Sequence, residues 1–116
     1  MSVKIYHNPR CGKSREALKL LEEQGIKPEV IEYLKHPPTA AELQDILSKL
    51  GLKPRQLMRT KEAEYKENAL DDQSLSEAEL IEAMIRFPKL IERPIVLANN
   101  KAAVGRPPET VLAILS

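Results

Sequence analysis

Sulfur and aromatic carbon are both scarce in this chain. Cys11 is the one cysteine, so no intrachain disulfide can form, and the sequence is expected to work in a reducing compartment. Trp is absent and Phe occurs once, so Leu, Ile, Val and Ala must supply the core. No apolar run approaches the length of a membrane span, and no secretory signal pattern opens the sequence, so a cytoplasmic location and no membrane partner are expected. The formal charge is only +1 over 116 residues, which removes the bulk electrostatic case for binding nucleic acid. One Cys and two separated His do not make a ligand set, so no metal is expected.

The length fits one domain, taken as residues 1–116. Alternation over Val3 to His7 predicts a first strand, with Val3 and Ile5 on one face. A helix from Lys13 to Gln24 follows, with Ala17, Leu18, Leu20 and Leu21 as its apolar stripe and Gly25 as its stop. Glu29 to Leu34 reads as a second strand. Thr39 to Glu42 and Ser76 to Glu79 are capping boxes that open helices, and Pro54 opens a shorter one. Between these, Lys61 to Ser74 is polar and is expected to be a mobile surface loop. Pro94 to Ala98 and Lys101 to Gly105 form a hairpin around Asn99-Asn100, residues that tolerate the turn's positive φ. Pro108 starts a last helix. The order implies an α/β sandwich on a small mixed sheet.

The stretch "YHNPRCGKSR" admits three chemistries. A nucleotide-binding loop requires a glycine five positions before the Gly of Gly-Lys-Ser, and that position is His7. A cysteine phosphatase loop places Arg six after Cys, and that position is Ala17; Arg15 lies four after. The remaining reading is a redox site of the form CxxS, with Cys11 between a strand and a helix start. The thiolate is the reactive form. With a pKa of about 8.5 roughly 3% is ionised at pH 7; a drop of about two units makes that roughly 75% and requires about 2.7 kcal/mol of anion stabilisation. A helix N-terminus typically contributes about 0.3–1 kcal/mol, so hydrogen bonds or cations must add the rest. His7, Asn8, Arg10, Ser14 and Arg15 are the local candidates, Asn8 as a residue that closes the turn. Lys13 and Arg15 also stand in the helix's first turn, where cations oppose the macrodipole. Solubility explains them, or an anion occupies the space above Cys11.

Taken with Arg59, "ERPIV" and "GRPPE", the same stretch resembles the ArsC family of glutaredoxin-coupled arsenate reductases, in its YfgD-like branch, over essentially the whole chain in order. The resemblance implies a thioredoxin-like fold with a mixed four-stranded sheet and a helical insertion, about 36–92, between the second and third strands. It implies Cys11 as nucleophile and Arg59, Arg93 and Arg106 as the arginines that bind the oxyanion. His7 and Ser14 match family residues that favour the thiolate, and Pro94 matches the proline preceded by a cis peptide bond. The implied reaction reduces arsenate with glutathione as co-substrate, no bound cofactor, and glutaredoxin as partner; a monomer is expected. Ser14 stands where dithiol enzymes place a second Cys, so an external thiol must resolve the adduct. Two rivals share the fold. One is an Spx-like regulator that binds RNA polymerase, whose redox switch normally uses CxxC. The other is a glutathione-dependent thiol reductase without arsenate activity.

Overall fold

A computed structural model describes residues 2–115; Met1 and Ser116, the ends of the expected 1–116 domain, lie outside the described residues. The chain divides into two compact units. One comprises the described residues up to His36 with those from Arg93, and the other is Pro37–Glu92.

The first unit carries the sheet. Strands β1 (Lys4–His7), β2 (Glu29–Glu32), β3 (Ile95–Ala98) and β4 (Lys101–Val104) lie in the order β2-β1-β3-β4. β1 pairs parallel with β2 and antiparallel with β3, and β3 pairs antiparallel with β4. This is the mixed four-stranded sheet of a thioredoxin-like fold. The parallel crossover is α1 (Gly12–Glu23), whose Ala17 and Leu21 are fully buried with Ile5, Val96 and Val111 in the core of this unit. Shortening Leu21 to Ala should cost about 2–5 kcal/mol. β2 ends at Glu32, two residues before the expected Leu34, because the N–H groups of Lys35 and His36 turn back onto the Glu32 carbonyl. Asn99 and Asn100 both have positive φ, 52° and 61°, and close the β3–β4 hairpin in two residues. The last helix is 3₁₀ over Pro108–Ile114 rather than α. At three residues per turn, Pro108, Val111 and Ile114 fall in one row, and all three are buried.

The second unit is helical: α2 (Ala40–Leu50), α3 (Pro54–Leu57), α4 (Ala63–Glu67), α5 (Glu77–Arg86) and a 3₁₀ turn at Pro88–Leu90. Both capping boxes form. Thr39 and Ser76 accept from the N–H of Glu42 and Glu79, and each glutamate returns a carboxylate to the cap N–H. The stretch from Lys61 to Ser74 is more ordered than the expected loop. α4 lies within it, and Arg55 gathers it by donating to Tyr65 Oη at 2.5 Å and to the carbonyls of Leu70 and Asp72 at 2.6 and 3.0 Å. Polar composition concealed this, because the organising cation stands outside the stretch.

Candidate active site

β1 delivers the chain to a turn built by Asn8. Its carbonyl accepts the Cys11 N–H at 3.0 Å, and its side-chain oxygen accepts the Arg10 N–H at 3.0 Å. Cys11 is thereby set as the N-cap of α1, with extended φ and ψ of −95° and 122°. The first turn of α1 holds no acidic residue, and Cys11 forms no side-chain cap bond of standard geometry. Cys11 is largely buried, at 8% exposure.

Burial alone would push the Cys11 thiol up. It is overcome by the backbone N–H of Ser14, the Arg93 charge, the backbone N–H of Lys13 and the Arg106 charge, and the pKa falls below the ordinary thiol value. Arg106 directs a guanidinium Nη2–H at Sγ across 3.8 Å, and its Nε–H donates to the Arg93 carbonyl at 2.9 Å. The two arginines are therefore tied to each other as well as to the sulfur.

Ser14 is fully buried. Its hydroxyl oxygen accepts the Asn8 N–H at 3.0 Å and lies 2.6 Å from His7 Nδ1, so the hydroxyl is engaged with the turn and the imidazole. What Ser14 presents to Cys11 is its backbone N–H. His7, also buried, has its pKa lowered by burial first; Glu32 opposes that and Arg15 reinforces it. A neutral imidazole with its proton on Nε2 would accept a hydrogen bond from the Ser14 hydroxyl at Nδ1. Arg15 donates to the Pro9 carbonyl at 2.9 Å, so it braces the turn.

Backbone approach in the strand region fixes the two arginines. The Arg93–Pro94 and Arg106–Pro107 peptide bonds are both cis. Gly105 donates its N–H to the Pro94 carbonyl at 2.9 Å, and a Cβ there would stand 2.8 Å from Pro94 Cγ. Sequence reasoning missed Gly105. Its signal was a glycine at the end of a predicted strand, where backbone often approaches backbone. Arg59 belongs to the helical unit. Its Nη1 pairs with Glu62 Oε1 at 2.7 Å and reaches the Lys89 carbonyl at 3.4 Å. The structure thus brings His7, Asn8, Cys11, Ser14, Arg93, Pro94 and Arg106 together in one unit, and Arg59 is held within the other.

The ArsC family model matches residues 6–114. The chain belongs to the ArsC family. YfgD of Escherichia coli strain K12 is 61% identical over 114 residues, which is 97% of this chain and 96% of that protein. An arsenate reductase of Neisseria meningitidis serogroup A is 56% identical, covering 97% of each chain. Among solved structures, an arsenate reductase from Vibrio cholerae superposes with a TM-score of 0.96 at 57% identity, over 99% of this chain and 98% of that one. Among the described residues of this ArsC-family chain, no group of three His, Cys, Asp or Glu is arranged to hold a metal, and no helix is long and apolar enough to cross a membrane.

Proposed function

We propose that this protein is a thiol-dependent arsenate reductase. The observation that carries the reading is the Cys11 sulfur at the open N-terminus of α1, with its pKa depressed and the Arg106 guanidinium 3.8 Å away. Arsenate is a tetrahedral anion near neutral pH, and guanidinium groups match its oxygens with paired, charge-assisted hydrogen bonds. They also offset the repulsion between an incoming anion and a thiolate.

In this reading the Cys11 thiolate attacks As(V), an As–S bond forms, and one arsenate oxygen leaves as water after protonation. Glutathione then attacks the Cys11 sulfur as its thiolate. The S–S bond forms, the As–S electron pair stays on arsenic, and As(III) departs as arsenite. One arsenate and two thiols thus give one arsenite, one water and one mixed disulfide. Glutaredoxin clears that disulfide and regenerates Cys11. Arg93 and Arg106 hold the oxyanion, and the resemblance implies the same duty for Arg59. His7 and Ser14 keep the turn in the form that stabilises the thiolate.

A steady-state arsenate assay with glutathione and glutaredoxin omitted in turn tests the reading. Turnover should need both. Background turnover with both present, alongside brisk reduction of a glutathionylated disulfide, would replace arsenate reduction with thiol reduction; a chain inert toward both would be no reductase. Within the reading, Arg59→Lys should raise KM for arsenate, because a point charge cannot reproduce the planar fork; unchanged kinetics would remove Arg59 from the site.

A further inference from the structure

Beside the turn that carries Cys11 lies a cavity of about 320 Å³, lined by His7, Asn8, Pro9, Arg10, Glu32, Leu34 and Lys35. His7 and Glu32 are register partners on the parallel strands β1 and β2, so their side chains leave the sheet on the same face. His7 is buried and commits Nδ1 to Ser14. Glu32 lines the same cavity, and its negative charge acts on the imidazole across that space. We propose that Glu32 is a positioning residue for the active-site turn. Its carboxylate fixes the His7 tautomer that carries the proton on Nε2 and accepts the Ser14 hydroxyl at Nδ1.

The consequence reaches the sulfur through bonds already described. Ser14 Oγ holds the Asn8 N–H, the Asn8 carbonyl holds the Cys11 N–H, and the Ser14 N–H faces Sγ. With its proton on Nδ1 the imidazole would donate to Ser14 Oγ instead, leaving the buried hydroxyl proton without its acceptor and loosening that chain. The charged groups around His7 are Glu32 from β2, Arg15 from α1, and Arg10 and Lys35 at the cavity rim. Lys35 stands 3.8 Å from Glu32 in an exposed ion pair, so it screens the carboxylate without burying it.

The inference rests on Cys11 as an activated thiol, but arsenate and glutathione enter neither of its readouts. The first is imidazole ¹⁵N NMR of the whole chain. Wild type should show one tautomer with Nε2–H; Glu32→Gln should show a mixture, with the His7 titration moved down by about half a unit, and Glu32→Asp should restore most of both. The second is the pH profile of Cys11 alkylation by iodoacetamide. Removing a negative charge would by itself lower the thiol pKa. Loss of positioning should instead raise it by about half a unit in Glu32→Gln, a roughly threefold drop in rate on the acid side. Glu29→Gln, the same charge change at the far end of β2 opposite Lys4, should leave both readouts unmoved. A single unchanged tautomer in Glu32→Gln, an alkylation midpoint that stays or falls, or an equal effect from Glu29→Gln would each overturn the proposal.

Discussion

Three helices of similar length begin in two different ways. α2 and α5 open with a hydroxyl cap and a glutamate at the third position, so their first amides are bonded and carboxylates sit on the positive end of the dipole. α1 opens with Cys11, has no acid in its first turn, and carries Lys13 and Arg15 there instead. The closed starts serve stability. The open start leaves its amides facing a sulfur and keeps the region positive. The difference teaches that the helices needed only for packing are capped, while the one that starts at the buried thiol is left uncapped and cationic.

The largest effect that can break this comparison is Cys11→Ser. Turnover should fall to background with the fold intact, and retained turnover would remove the sulfur from the chemistry. The sign of the pH effect follows from the depressed thiol pKa. Wild type gains stability over Cys11→Ser as pH rises from the folded pKa through the higher unfolded one, and loses it as pH falls through the folded value. Denaturant midpoints of both proteins across pH check this; a gap that narrows toward alkaline pH would contradict it.

Next in size is Arg106→Ala. It removes a charge-assisted contact worth about 1.5–3 kcal/mol, so kcat/KM for arsenate should drop about 10–100-fold and the thiol midpoint should rise. A drop in turnover without a change in the alkylation profile would leave Arg106 as a substrate contact only. Gly105→Ala should cost about 1–3 kcal/mol, since the added carbon meets Pro94, and it should disturb the Arg93–Arg106 bond. Wild-type thermal stability in that variant would mean that the close approach is easily relieved.

The smallest effects sharpen the contrast from the other side. Thr39→Ala and Ser76→Ala should each cost about 1 kcal/mol by chemical denaturation and leave Cys11 alkylation untouched. A changed alkylation rate in either would blur the distinction between closed and open helix starts.

Much of the fold was legible because it rests on local signals. The capping boxes, the Asn99-Asn100 turn and the Ala17–Leu21 stripe each specify their own element within a few residues. The ordering of residues 61 to 74 was not legible, since it depends on Arg55 reaching Tyr65, Leu70 and Asp72 across up to 17 positions. At the site, Cys11 and its turn were readable from residue type and spacing. That Ser14 turns its hydroxyl to His7 and only its N–H to the sulfur depends on side-chain direction, which spacing does not encode. Gly105 and Glu32 acquire their meaning from strand pairing, so neither stood out in the linear chain.

The central claim is that the positive helix start and its arginines hold the Cys11 sulfur as an anion. The most direct test is the thiolate absorbance of Cys11 in the ultraviolet, titrated against pH with Cys11→Ser as the blank. The account predicts a midpoint below the roughly 8.5 of an unperturbed thiol. A midpoint at or above that value would contradict it.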